Sequence, residues 1–183
     1  MEVIVTKLSG LFLIKPKRFG DHRGFFAETY SFRSYKNHGI DTEFLQDNHS
    51  LSVHINTLRG LHFQKPPNSQ AKLVRCGKGS IFDVAVDLRK GSSTFGQWFG
   101  EIMSEKNGIQ MLIPEGFAHR FLTLVPNSEI VYKCSDYYAP ESEGAVRWND
   151  PDIGIEWPSN ATPVISDKDQ NAPFLKEIIS PFK

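Results

Sequence analysis

The sequence predicts a mainly β protein, an antiparallel jelly-roll barrel or sandwich carrying a few short helices. Three observations lead there. Apolar and polar residues alternate with the period of two that a half-buried strand imposes, in segments that recur about every ten residues. No stretch keeps the 3.6-residue period of a long helix, which argues against parallel strands joined by crossover helices. Fourteen Phe and eleven Pro in 183 residues suit short extended segments joined by turns. A chain of this length suits one domain over residues 1–183, burying roughly 70% of its unfolded surface.

Taken in order, residues 1–14 read as strand, with Val3 to Val5 and Leu11 to Ile14 separated by a break at Ser9-Gly10. Phe19 to Gly24 is rich in turn residues, and Phe25 to Tyr30 returns to strand. Ser31 to His38 suits a short helix that Gly39 terminates. Gln46, Asn48, Ser50 and Ser52 share one parity and give an extended segment with a polar face. Leu58 to Gln64 is a strand, Lys65-Pro66-Pro67-Asn68 a loop, and Ala71 to Cys76 a strand that carries Lys72. Ile81 to Leu88 alternates strictly, with Phe82, Val84, Val86 and Leu88 on one face and Asp83, Ala85 and Asp87 on the other. Short strands continue through Trp98 to Met103, Gly108 to Ile113, Arg120 to Val125 and Glu129 to Cys134. Residues 135–163 contain Pro140, Pro151, Pro158 and Pro163 and read as irregular. Ser166 to Asp169 can cap a short helix.

Composition removes several function classes. Twenty-one basic residues balance twenty-one acidic ones, so no global field recruits nucleic acid or an anionic membrane, and any anion site is local. Cys76 and Cys134 are too few for a disulfide framework and lie outside any metal-binding spacing, which leaves buried, reduced thiols. The unbroken apolar run Leu11 to Ile14 is too short for a signal peptide or a membrane span, and a cytoplasmic location is expected.

The chemistry concentrates at Leu58-Arg59-Gly60-Leu61-His62-Phe63-Gln64. An isolated histidine is more often a surface or satisfied core group. Arg59 nearby favours a ligand cavity, because a guanidinium grips phosphate bidentately. Strict alternation would put Arg59 and His62 on opposite faces. Gly60 accepts the backbone angles of a bulge, so a bulge, kink or late strand start is expected at Arg59-Gly60. If so, His62, Lys72, Asp83, His119 and Tyr132 converge on one pocket with Asp169 behind His62. Gly108, Pro114, Gly116 and His119 have a spacing that resembles the second motif of the cupin barrels. The strand matching their first motif offers only His62-Phe63-Gln64. Two histidines and an amide are a poor ligand set for zinc or iron, so no metal and no cofactor is expected.

A closer resemblance covers nearly the whole chain. Asp21-x-Arg23-Gly24-x-Phe26-x-Glu28, Gln46 to Ser50, Leu58 to Gln64, Lys72 with Val74-Arg75, and Asp83 to Leu88 resemble the dTDP-4-dehydrorhamnose 3,5-epimerases. So do Gly116 to His119, Tyr132-Lys133-Cys134-x-Asp136-x-Tyr138, Arg147-Trp148-x-Asp150-Pro151 and Ser166-x-Lys168-Asp169. The resemblance implies a metal-free cupin-like jelly roll. It also implies proton removal at C3 and C5 of dTDP-4-keto-6-deoxy-D-glucose and return from the opposite face, giving dTDP-4-keto-L-rhamnose. It assigns His62 as base, Asp169 as the carboxylate orienting it, Lys72 as the cation at the C4 enolate and Tyr132 as the opposite-face acid. It assigns Arg23 and Arg59 to the diphosphate, Phe26 and Tyr138 to the thymine, Glu28, Gln46 and Asn48 to the nucleotide side, and Asp83 and His119 to the surroundings of the sugar. It further implies a homodimer with exchanged N-terminal strands, in which Arg23, Phe26 and Glu28 serve the neighbouring subunit's site.

Without the resemblance, Lys72 and Glu28 read as solvated strand charges, Phe26 as core, Asp169 as a helix cap, and Tyr132 as evenly balanced between core and site. Arg120 departs from the family pattern, which has Gly there. Alternation points it away from His119, as an outward-facing charge. The alternatives are a 3-only epimerase of another deoxysugar pathway, a metal-dependent cupin and a non-catalytic sugar- or nucleotide-binding barrel.

Overall fold

The computed structural model describes residues 1–183. The chain runs β1 (Glu2–Val5), β2 (Phe12–Lys15), β3 (Arg18–Asp21), β4 (Gly24–Ala27), α1 (Phe32–Lys36), β5 (Gln46–Ser52), β6 (Leu58–Gln64), β7 (Lys72–Lys78) and β8 (Ser80–Asp87). It continues through β9 (Trp98–Ser104), β10 (Gln110–Ile113), β11 (Phe117–Thr123), β12 (Ser128–Cys134), β13 (Glu143–Ala145) and α2 (Asp167–Gln170). Every strand pair is antiparallel, in a six-stranded sheet β1-β2-β10-β7-β12-β5, a five-stranded sheet β13-β6-β11-β8-β9, and the separate hairpin β3-β4. This is a jelly-roll-like β sandwich, as the alternation implied. No helix is long and apolar enough to cross a membrane.

Strand parity decides what lies between the sheets. Val74 and Cys76 of β7, Ile130 of β12, Ile81 and Ala85 of β8, and Phe117 and Phe121 of β11 join Leu8, Leu11, Leu13, Met103, Met111 and Ile113 in the inner core. Each large apolar side chain there contributes about 1.5–3 kcal/mol by leaving water. The same inward parity carries the polar groups Lys72, Tyr132, Asp83 and His119, so the sandwich is apolar at one end and polar at the other. The opposite faces are covered too. Helix α1 and Ile40 pack Tyr35 against Ile14, Leu73 and Leu112 on the six-stranded sheet. The C-terminal segment lays Val146, Ile153 and Phe182 over Leu61, Phe63, Val84, Val86, Leu88 and Ala118 of the five-stranded sheet.

The irregular C-terminal stretch is pinned by specific polar contacts. Buried Asp150 accepts the backbone N–H of Asp152 at 2.8 Å and that of Leu175 at 2.5 Å, and the Ser180 hydroxyl donates to the Leu88 carbonyl. Cys76 and Cys134 are free and buried.

Besides strand ends that move by two or three residues, with β11 starting at Phe117 rather than Arg120 and β4 ending at Ala27, the structure differs from the sequence reading as follows. The turn expected over Phe19 to Gly24 is mostly strand, because β3 and β4 form a tight hairpin around His22-Arg23. The helix expected over Ser31 to His38 is shorter, capped by the Ser31 hydroxyl and closed where Gly39, at φ +80°, turns Ile40 back to donate to Tyr35 O. Residues 143–145, read as irregular, form β13 on the edge of β6. Arg120 faces away from His119 as alternation required, yet it is fully buried, because the C-terminal segment covers that face of the sheet.

Candidate active site

The site begins with the bulge in β6. His119 pairs with His62, but its neighbour Arg120 pairs with Gly60, so Leu61 is an extra residue on β6. The slip leaves Leu61 on the outer face, fully buried, and turns both Arg59 and His62 into the cleft between the sheets. Gly60 makes this geometry accessible. Its φ is +106°, and a Cβ there would lie 2.4 Å from the His119 carbonyl oxygen. The free edge of β6 is then taken up by later parts of the chain. Leu58 donates its N–H to Val164 O at 2.9 Å, Gly60 donates to the Asp169 carboxylate at 3.2 Å, and the Leu61 carbonyl accepts from Val146 N–H at 3.0 Å.

His62 and Asp169 form a tight pair. Nε2 of His62 lies 2.6 Å from Asp169 Oδ1. A carboxylate only accepts, so Nε2 carries the proton and Nδ1 is the basic nitrogen left over. Burial pushes the Asp169 pKa up, but the His62 hydrogen bond and charge, the Gly60 N–H and the Arg120 charge outweigh it and hold the carboxyl below its ordinary value. Asp169 is also the N3 residue of α2. Its backbone N–H, not its side chain, serves the cap by donating to Ser166 Oγ at 3.2 Å, so cap and dyad coexist.

Lys72 and Tyr132 enter the same space from the opposing sheet. Both line a cavity of about 490 Å³ together with Arg59, His62, His119 and Asp169. They also line an adjoining one of about 290 Å³ with His62, Gln46, Asn48 and Tyr138. Burial lowers the Lys72 pKa, and the charges of Cys134, Asp83 and Glu143 partly restore it. Burial raises the Tyr132 pKa, as does Cys134, against the opposing pull of Arg59. Tyr132 therefore stays a protonated donor at neutral pH. His119 Nε2 sits 2.8 Å from Asp83 Oδ1, forming a second, more deeply buried imidazole–carboxylate pair.

The structure thus brings together His62, Asp169, Lys72, Tyr132, Arg59, His119, Gln46, Asn48 and Tyr138. Asp83 is not on the wall. It is completely buried behind His119 and acts on the cleft through that ring. Arg23, Phe26 and Glu28 are not brought to the cleft of their own chain. They sit on or just after the β3-β4 hairpin, where Arg23 pairs with Asp21 at 2.6 Å and Phe26 is 70% exposed.

Sequence reasoning gave no role in the site to three further groups, having weighed Gln64 only as a poor metal ligand. Gln64 is buried one inward position beyond His62. It donates to the carbonyls of Asn68 and Tyr137 and accepts from Ala139 N–H, which fixes the loop bearing Tyr138. Cys134 lines the smaller cavity; burial raises its thiol pKa against the charge of Lys72 and the Asn48 hydrogen bond. Lys168 closes an ion pair with Glu143 between the two cavities. Parity with His62 and Tyr132 would have flagged Gln64 and Cys134. Glu143 lies on the strand that the sequence did not announce. The chain has no cluster of three or more His, Cys, Asp or Glu side chains that could hold a metal ion.

Comparison with known proteins settles the lineage. The family model for dTDP-4-dehydrorhamnose 3,5-epimerase matches residues 5–177. The chain belongs to the dTDP-4-dehydrorhamnose 3,5-epimerase family. One family member, from Salmonella typhimurium, is 51% identical over 180 residues, covering 98% of each chain. The crystal structure of the 3,5-epimerase from Legionella pneumophila, in complex with dTDP-4-keto-L-rhamnose, is similar with a TM-score of 0.93 at 45% identity, covering 97% of this chain and 94% of that one. The epimerase from Bacillus anthracis, solved with TDP and pyrophosphate bound, gives a TM-score of 0.92 at 46% identity over 94% of this chain and 98% of the other.

Proposed function

We propose that this family member is an isomerase converting dTDP-4-keto-6-deoxy-D-glucose to dTDP-4-keto-L-rhamnose by epimerisation at C3 and C5, without a cofactor, in dTDP-L-rhamnose biosynthesis. The observation that carries this reading is His62 of one sheet, paired with Asp169 of α2, opposed by Lys72 and Tyr132 from the other sheet. The C3 proton is acidified by the adjacent C4 ketone. His62 Nδ1 takes it, and Asp169 stabilises the imidazolium. The electron pair moves onto the C4 oxygen as an enolate, which the Lys72 ammonium balances. A fixed charge at such a position is worth on the order of a hundredfold or more in rate. Tyr132 then gives its phenolic proton to C3 from the opposite face. His62 and Tyr132 regain their starting protonation through solvent, and the cycle repeats at C5.

Arg59 serves the diphosphate, Gln46, Asn48 and Tyr138 the nucleotide, and His119, braced by Asp83, the sugar. The exposed hairpin fits a homodimer with exchanged N-terminal strands, in which Arg23, Phe26 and Glu28 complete the partner's cleft. Residues 1–183 act as one domain in the cytoplasm, independent of nucleic acid and membranes. Incubation with dTDP-4-keto-6-deoxy-D-glucose in deuterated water tests the reading directly. NMR should show deuterium entering at both C3 and C5 with inversion, and absence of exchange at either carbon refutes it.

A further inference from the structure

Gln64 follows His62 by two residues on β6 and shares its inward parity, yet it is only 5% exposed. Its amide is directed at backbone. Nε2 donates to the carbonyls of Asn68 at 2.7 Å and Tyr137 at 3.1 Å, and Oε1 accepts from Ala139 N–H at 2.9 Å. Carbonyls only accept and an N–H only donates, so a single orientation of the amide satisfies all three. Two of the groups it holds, Tyr137 O and Ala139 N–H, flank Tyr138. The Tyr138 N–H is taken by a second glutamine. Gln46 Oε1 of β5 lies 3.1 Å from it, while Gln46 Nε2 donates to Asn48 Oδ1 at 3.1 Å. Tyr138 is therefore clamped by Gln64 from the five-stranded sheet and by Gln46 from the six-stranded one. The Asn68 contact extends the clamp to the loop after β6, where Asn68 Oδ1 accepts from the Ser142 hydroxyl at 3.0 Å. The Tyr138 ring itself is 57% exposed and lines the cavity of about 290 Å³ with His62, Lys72 and Gln46.

We infer that Gln64 is a positioning residue for the aromatic base of the nucleotide: it fixes the backbone on both sides of Tyr138, so that the ring stands ready as a stacking wall. The inference rests on the reading of Tyr138 as a nucleotide contact. With its flanking peptides and its own N–H held, Tyr138 keeps only its two side-chain torsions, so little freedom is lost when a flat group settles on the ring. Without Gln64, the segment would have to be ordered by the ligand, and affinity would fall by that cost. One strand then sets two features of the site. It presents His62 directly and, through Gln64, it places the aromatic wall of the adjoining cavity.

The test is a double-mutant cycle read by calorimetry, with dTDP and inorganic pyrophosphate as the two probes. Q64M keeps the length of the side chain but removes its donors and its acceptor. It should weaken dTDP binding by about tenfold, the scale of one aromatic stacking contact. Pyrophosphate has no ring, and its affinity should stay within about twofold of the parent. Y138A should weaken dTDP binding at least as much as Q64M. Adding Q64M to Y138A should cost less than about twofold more, because the ring that Gln64 places is already gone. Q64N, whose amide is one methylene too short to reach both sides of Tyr138, gives the same reading should Q64M not fold. Unchanged dTDP affinity in Q64M or Q64N, losses that multiply in full in the double variant, or an equal loss for pyrophosphate overturns the inference and reduces Gln64 to a loop brace. A parent that binds dTDP without turnover refutes the epimerase reading and leaves the cycle intact. A parent with no measurable dTDP affinity overturns the inference outright.

Discussion

The substitution that most directly challenges this account is Gly60→Ala. The added Cβ would lie 2.4 Å from the His119 carbonyl oxygen, 3.1 Å from the His62 backbone nitrogen and 3.3 Å from the Arg120 Cα. All three are backbone atoms that cannot swing aside. The φ of +106° is also one that a residue with a Cβ rarely adopts. The left-handed backbone costs about 1–2 kcal/mol, and relieving the overlap by parting β6 from β11 adds on the order of 1–3 kcal/mol. A loss of about 3 kcal/mol corresponds to a fall in Tm of about 6–12 °C for a chain of this size. Parting the strands would also shift the Gly60 N–H that holds Asp169, together with His62. Urea unfolding at constant m value measures the stability term, and deuterium exchange at C3 and C5 measures the displacement of the base. If G60A stays within about 0.5 kcal/mol of the parent and exchanges normally, the bulge is not what orders the site.

Three further substitutions separate the roles of individual groups. H62A should reduce deuterium exchange at both carbons by about a thousandfold or more while dTDP binding, measured by calorimetry, stays nearly intact, and D169N should follow it to a lesser degree. Y132F should keep exchange better than net inversion, because the base remains while the opposite-face donor is gone; equal loss of both would make Tyr132 a substrate-positioning group. D87N probes stability through pH. Burial raises the Asp87 pKa, but hydrogen bonds from Arg89, Ser92 and Thr94 overcome this and bring it down to about 2 from 3.8. A depressed carboxyl stabilises the fold above its unfolded pKa and loses that contribution as pH falls through the folded value. D87N should therefore be less stable by about 2 kcal/mol at pH 7, with the gap closing between about pH 4 and pH 2 in urea titrations.

Much of this site is readable from strand periodicity, since a period of two assigns faces without knowledge of the fold. Ile81 to Leu88 shows this, with Phe82, Val84, Val86 and Leu88 on the outer face and Asp83 inward. The bulge was legible as well, because a glycine between two groups that chemistry wants on one side points to a break in alternation. Burial was harder to read. Alternation placed Arg120 on the correct face, but nothing in its neighbourhood announced that residues 146–182 would cover it. Those residues hold their shape through contacts such as Asp150 to Leu175 N–H, which leave no periodic trace. Asp83 was inward as expected, yet its place behind His119 depends on a cross-strand partner that one strand's pattern cannot supply. Arg23, Phe26 and Glu28 came from family resemblance, and the fold of one chain gives them no partner in its own cleft.

The edge of β6 has a consequence for solubility. Between Leu58 and Leu61 its outward N–H and C=O groups are taken by Val164, the Asp169 carboxylate and Val146, three points far along the chain. An open strand edge is a template for pairing with another copy. The segment that delivers the carboxylate to His62 is therefore also the one that closes the sheet against its neighbours. A chain shortened before residue 164 would lose its orienting carboxylate and expose two unpaired edge donors in the same step. Such a fragment should associate edge to edge rather than persist as an inactive monomer.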